Sequence, residues 1–239
     1  MDTATIKLNL HRETLVDRIV NLLENRILAG ELLPGTKLSE LGVANEFGVS
    51  RVPAREALQR LQEMNLVQKT HNGREVAKFS LEEFHEIYEL KNVVEAYGAM
   101  KGALKARDSD LRKIESVVNN MAKCLISEDF EKIRVLNYQF HDLMVKCSGN
   151  RKLIDNYFSL VKQVRWSTTL SLGMPGRPKQ SFEEHKAIFE AFKQRRAQHV
   201  RTLLETHSDN NMHRILSQLE EKEKHRKSLP VKESVDRYR

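Results

Sequence analysis

Apolar residues recur every three to four positions along most of this chain, and the interruptions of that rhythm divide it. In ETLVDRIVNLLENRILA, residues 13–29, Leu15, Ile19, Leu22, Leu23 and Ile27 share one side of a 3.6-residue repeat, which predicts an amphipathic helix closed by Gly30. After LLPGTK, Ser39 caps and Gly48 ends a short second helix, and Ser50 opens a third that reaches Met64. Two helices joined through a glycine-containing turn are the signature of a helix-turn-helix. The rhythm then changes to strict alternation. LVQKT and EVAKF flank His71-Asn72-Gly73-Arg74, and Asn-Gly between alternating segments predicts a tight hairpin. Residues 10–79 therefore read as a winged helix-turn-helix.

From Ser80 onward the helical period returns, at 81–106, 108–126, 128–147, 150–172, 181–195 and 197–224. Ser80 with Glu83, and Ser181 with Glu184, match the capping box at a helix start. The Gly- and Pro-rich stretch Gly173-Met174-Pro175-Gly176-Arg177-Pro178 predicts a loop. The expected fold is mostly α. A winged helix-turn-helix DNA-binding domain occupies 1–79, an all-helical effector-binding and dimerisation bundle 80–224, and a charged tail 225–239.

Composition narrows the class without naming a function. A chain of 239 residues accommodates two small domains, and 10 Gly and 5 Pro are few for a sandwich or barrel. No stretch approaches the roughly 18 apolar residues of a membrane span, the N-terminus lacks an apolar signal region, and two Cys cannot build a disulfide framework. A cytoplasmic protein with no membrane partner is expected. The formal charge of +7 is not concentrated on the first domain, since residues 1–79 carry 11 Lys and Arg against 10 Asp and Glu. A case for DNA binding rests on pattern instead.

That pattern lies at the start of the third helix. Arg51 and Arg55, behind Ser50, are one turn apart on a polar face, while Leu58 and Leu61 supply the apolar one. A recognition helix enters the major groove with its N-terminal end, where arginine can donate two hydrogen bonds to guanine. His71, Asn72, Gly73 and Arg74 form the wing tip, placed to meet the minor groove or the phosphate backbone.

The helical part holds a second constellation. Asn137 and His141 are four residues apart and so share a helix face, with Arg134 one turn earlier; His185 and His207 follow on later helices. Imidazoles and one oxygen donor from separate helices can build a transition-metal site inside a bundle, although three sequence-distant His are equally compatible with ordinary core or surface positions.

The segments ILAGELLPGTKLSE, GVSRVPAREALQRLQEMNLV and THNGREV resemble the GntR family of bacterial transcription regulators, and the part opening SLEEFHEIYELKNVVEAYGA resembles the FCD effector-binding domain of its FadR subfamily. The resemblance implies operator contacts by Arg51 and Arg55 and a minor-groove position for His71. Leu41 stands where some relatives carry a further arginine. It also implies a divalent transition metal, Zn or Ni, held by Asn137, His141, His185 and His207, with the neutral amide of Asn137 in the place of a carboxylate. The family uses such a metal to hold a small carboxylate effector. Lys91 stands where relatives carry a pocket-facing arginine, and Arg134 is a second anchor for that effector; either residue can instead pair with a nearby acid, Glu95 or Glu131.

The expected function is a homodimeric, ligand-responsive repressor that binds an inverted-repeat operator. A metal-dependent hydrolase is the rival class. It needs a carboxylate beside the metal, yet the oxygen position is an amide and no H-E-x-x-H pair occurs, so no enzymatic activity is expected. An effector-independent DNA-binding protein is the other alternative, and it predicts a bundle without a pocket.

Overall fold

The computed structural model describes residues 14–71 and 73–228, and the chain divides between Lys78 and Phe79 into two compact units. Asn72 and the tail beyond Ser228 lie outside the described residues.

The first unit is built as its caps and periodicity dictate. Helix α1 (Leu15–Ala29) starts at a capping box in which the Thr14 hydroxyl accepts from the Asp17 N–H and the Asp17 carboxylate accepts from the Thr14 N–H; it ends on Gly30 at φ 76°. Strand β1 (Lys37–Leu38) precedes α2 (Glu40–Phe47), whose Ser39 cap accepts from the Gly42 N–H. Gly48, at φ 63°, supplies the left-handed turn into α3 (Arg51–Glu63). β2 (Val67–Thr70) and β3 (Gly73–Val76) form the wing, in a register that pairs Val67 with Val76 and Thr70 with Gly73. Two-residue β1 is too short to leave a periodic signal, yet it pairs with β3 and makes the antiparallel sheet three-stranded, β1-β3-β2. Ile19, Leu23, Ile27, Val43, Leu58 and Leu61 close one core beneath the recognition helix and the wing. Burying these side chains is what holds α3 rigid, because each is worth about 1.5–3 kcal/mol relative to exposure.

The second unit is wholly helical: α4 (Leu81–Lys105), α5 (Asp108–Ile126), α6 (Phe130–Lys146), α7 (Arg151–Val164), α8 (Ser167–Leu172), α9 (Arg177–Lys193) and α10 (Ala197–Ser228). The Ser80–Glu83 capping box opens α4 as its sequence predicts. Ala99, Ile114, Met121, Phe140, Met144 and Phe192 belong to the main core. Gly102 is what lets α4 and α6 approach, since a Cβ there would lie 2.3 Å from the Met144 carbonyl oxygen. Gly102→Ala is therefore expected to lower the stability of this unit by about 1–3 kcal/mol, read as a drop in its thermal midpoint, because the obstruction is backbone and cannot rotate away.

Two boundaries differ from the periodicity. The single helix expected over 150–172 is broken at Arg165–Trp166, where Trp166 Nε1 donates to the Gln163 carbonyl and the Ser167 hydroxyl to that of Val164. Helix α9 starts at Arg177 rather than 181: Gly176 at φ 73° and Pro178 in the first turn set the start, so Ser181 and Glu184 are interior helical residues and form no capping box. That shift frees both side chains for other partners.

Candidate functional site: recognition helix and buried histidine cluster

Helix α3 presents Arg51 as its first residue, exposed and with no side-chain partner among the described residues. Ser50 occupies the N-cap position but makes no capping hydrogen bond. Arg55 follows one turn later, and its Nε donates to both carboxylate oxygens of Glu40, at 3.1 and 3.0 Å. Arg74, on β3, donates from Nη1 to the same carboxylate at 3.0 Å. Glu40 thus ties the recognition helix to the wing. Burial raises its carboxyl, but the hydrogen bonds from Arg55 and Arg74 outweigh that and hold it below its ordinary value. The bond to Arg55 uses Nε alone and leaves the two terminal nitrogens of a 60% exposed side chain without a partner among the described residues. His71 is exposed at the wing turn, and Gly73 adopts φ 125°. Glu40, first residue of α2, left no sign of this role in the sequence beyond its acidity.

In the helical unit His141 on α6, His185 on α9 and His207 on α10 are all buried, with candidate ligand nitrogens within 4.8 Å of one another. Their ring orientations follow from their outer partners. His185 turns Nδ1 to the Ser181 hydroxyl at 3.3 Å, and His207 turns Nδ1 to Glu184 Oε2 at 2.6 Å. His141 Nδ1 lies 2.5 Å from Glu95 Oε1, and its Nε2 is 3.0 Å from Nε2 of His185. Each outer group occupies an Nδ1, which leaves the three Nε2 atoms to face inward. Two ligand nitrogens on one ion at about 2.0–2.1 Å are themselves about 3.0–3.4 Å apart, so the 3.0 Å separation of His141 and His185 suits a shared ion. Asn137, one turn before His141, lines one cavity with His141 and His207 and a smaller one with His185.

The charge around the cluster is unusual for a buried place. Glu95 contacts His141 with one oxygen and the Lys91 ammonium with the other, each at 2.5 Å. Burial raises the Glu95 carboxyl, yet Lys91 and then His141 more than reverse this and keep it ionised far below the usual carboxylate range. Burial likewise acts against Glu184, but hydrogen bonds from His207 and Arg177 bring it down to about 2. His185 is lowered well below its ordinary value by burial and by its imidazole neighbours, and His207 falls to about 4, by burial first and against the opposing Glu184 bond. Both rings are therefore neutral at pH 7, the form that coordinates a metal. Carboxylates behind imidazoles orient metal ligands and raise their basicity. The donor set fits a divalent transition ion, with Glu95 and Glu184 supplying the negative charge that the amide of Asn137 lacks.

Lys91 lines this cavity but is already paired with Glu95, and its Nζ also lies within hydrogen-bond distance of Asn92 and Ser208. Arg134 does not line it. Its guanidinium pairs with Glu131 and lines a separate depression beside Gly173–Gly176. The cations that line the cavity with Lys91 are Arg165 and Arg177. Arg165 reaches it because α7 breaks there, and Arg177 opens α9 and pairs with Glu184 through both terminal nitrogens, at 2.9 and 3.0 Å. Both roles depend on the two misplaced helix boundaries. The sequence signal available was the seven-residue spacing of Arg177 and Glu184, two turns on one face.

A winged helix-turn-helix followed by a helical unit with an internal polar cavity defines the class of DNA-binding transcription regulators with an effector-binding domain. Residues 15–74 match the family described as bacterial regulatory proteins, gntR family, and residues 86–210 match the FCD domain. This chain belongs to the GntR family of bacterial transcription regulators and carries an FCD domain. It is similar to the uncharacterized HTH-type transcriptional regulator YdhC of Bacillus subtilis, 28% identical over 204 residues that cover 84% of this chain and 91% of that protein. The gluconate operon transcriptional repressor of Bacillus licheniformis is 28% identical over 173 residues, 72% of this chain and 70% of the repressor. Among solved structures, Escherichia coli McbR/YncC superposes with a TM-score of 0.76 at 20% identity, covering 86% of this chain and 99% of that one, a likeness of fold. No helix among the described residues is long and apolar enough to cross a membrane.

Proposed function

We propose that the protein is a homodimeric repressor whose grip on an inverted-repeat operator is set by a small carboxylate bound in a metal-containing pocket of the FCD domain. Residues 1–79 form its DNA-binding part and 80–224 its effector-binding and dimerisation part. Arg51 and Arg55 read bases in the major groove, Ser50 and the wing residues His71 to Arg74 meet the backbone or minor groove, and Glu40 aims Arg55 and Arg74.

The observation that carries the effector half is the buried cluster of His141, His185 and His207, with candidate ligand nitrogens within 4.8 Å of one another, and the cavity that His141 and His207 line together with Lys91 and Arg165. Asn137 and the three His hold the ion, and a bound ion offers an effector carboxylate a Lewis-acidic anchor. Lys91 and Arg165 supply positive charge for the same carboxylate. The gluconate repressor named above supports an acid as the ligand and repression as the outcome. An effector switches the protein only by binding its two arrangements unequally, so the ligand must change operator affinity rather than merely occupy the pocket.

The test is operator binding by the purified full-length chain with its metal content measured in parallel. A transition ion near stoichiometric, lost to a chelator, and an operator affinity that falls steeply with salt and shifts on adding small hydroxy acids are expected. A metal-free protein after repletion removes the pocket reading; a flat salt response removes the operator reading.

A further inference from the structure

The larger cavity beside the histidine cluster has a far end that the cluster does not reach. Along α4 its lining residues Tyr88, Lys91 and Glu95 are spaced by three and four, on one helical face. Glu95 stands against His141, at the histidine end, and Tyr88 lies seven residues earlier. On α10, His207 belongs to the cluster and Asn211 lies one turn beyond it. Asn211 Nδ2 donates to the Tyr88 hydroxyl at 2.7 Å, so these two residues close the same end. At 1.5 Å rise per residue that end is about 6 Å from His207 along α10 and about 10 Å from Glu95 along α4.

The direction of the hydrogen bonds there leaves one donor over. The Ser171 hydroxyl, on α8, donates to Asn211 Oδ1, which turns the amide Nδ2 toward Tyr88. The Tyr88 oxygen is thereby an acceptor, and its O–H proton meets no acceptor among the described residues. Lys91 cannot take it: its ammonium is itself a donor and lies 4.7 Å over the Tyr88 ring. Tyr88 is only 5% exposed, and a phenol hydroxyl so deeply buried spends its proton on a partner. The space that Tyr88 lines is the cavity, so the partner is an oxygen of whatever fills it.

We infer that Tyr88 is a specificity-determining residue of the effector pocket: its O–H donates to an oxygen that the effector carries at the end opposite its metal-facing carboxylate. The inference rests on the carboxylate pocket proposed above and adds what the rest of the ligand must offer. With about 2 Å taken up by the metal–oxygen contact and about 2.7 Å by the O–H···O bond, the remaining span suits a chain of about four to six carbons. Its terminal group is a hydroxyl, a carbonyl or a second carboxylate. A plain alkanoate leaves the donor unmet, and a site built to hydrogen-bond an oxygen rejects the analogue that lacks it. Asn211 and Ser171 are positioning residues, since they decide that the phenol proton is the one left over.

The experiment is isothermal titration of the zinc-loaded full-length protein with isosteric acids: 4-hydroxybutanoate against pentanoate, and 6-hydroxyhexanoate against heptanoate. Within each pair the charge and the number of heavy atoms are equal, so the affinity ratio reports the terminal oxygen alone. The hydroxy acid of at least one pair is expected to bind at least about tenfold tighter. Tyr88→Phe keeps the ring against Phe84 and removes only the oxygen, and it is expected to bring that ratio to about one. A packing defect weakens both acids of a pair alike and does not move the ratio. Equal affinities within both pairs, or a ratio that survives Tyr88→Phe, overturns the role of Tyr88 while leaving the carboxylate pocket intact. Failure of all these acids to bind the zinc-loaded protein overturns the carboxylate reading and this inference with it.

Discussion

His185→Ala is expected to abolish transition-metal binding by the FCD domain while operator DNA binding by the first unit persists. The ring is 1% exposed, and its Nε2 stands 3.0 Å from that of His141, so it is the side chain that closes the cluster. Its removal leaves two imidazoles and an amide oxygen, too few strong donors to hold the ion against a chelator. Loss of a group behind a metal ligand typically costs 10–100-fold in affinity, and loss of the ligand itself is expected to cost at least about 100-fold. Metal content after gel filtration and a chelator competition measure it. Glu184→Gln separates coordination from simple packing damage. That substitution keeps all three imidazoles, alters the acceptor of the His207 Nδ1 and of the Arg177 guanidinium, and removes one of the two charges that offset a neutral Asn137. An affinity loss of about 10–100-fold is expected for Glu184→Gln, and unchanged metal content in both variants removes the site.

Arg51→Ala is expected to weaken specific operator binding by about 1–3 kcal/mol while leaving binding to random DNA nearly unchanged. Arg51 has no side-chain partner among the described residues, so its guanidinium is available to a base edge without first breaking an ion pair. Arg55 differs. Glu40 holds its Nε and restricts the side chain, which reduces the rotamer entropy lost on binding. Fluorescence anisotropy on operator and scrambled duplexes at one salt concentration measures both affinities. Equal loss on the two duplexes assigns Arg51 to the phosphate backbone, and no loss on either removes it from the interface.

The local features of the fold were legible in the chain because they are local chemistry. Ser39 and Ser80 as caps, Gly30 and Gly48 as left-handed stops, and the hairpin around Gly73 act over four residues or fewer, a range in which sequence and conformation are nearly equivalent. The helix over 150–172 was not legible as broken. Its apolar period continues through the break, and what ends α7 is a set of contacts, with the Tyr138 hydroxyl on the Arg165 carbonyl and Asp142 on the Arg165 guanidinium. The start of α9 was misplaced for a different reason. Two local signals compete there, a Ser–Glu capping box at 181–184 and Gly176 followed by Pro178, and the second is stronger because the proline pre-sets the helical φ.

What the sequence determined by itself is the family, the winged helix-turn-helix, the polar face of α3 and the identities of the three histidines, each carried by residue type and short-range spacing. Tertiary structure alone decided which groups stand behind those residues. Glu95 comes to His141 from α4, Glu184 to His207 from α9, and Glu40 to Arg74 across the wing, over separations of 46, 23 and 34 positions. It also decided that Arg134 belongs to Glu131 and that Arg165 and Arg177 belong to the cavity. The physical reason is that a buried charge is set by whichever partner the packing delivers, and partners delivered by packing of distant helices leave no periodic trace along the chain.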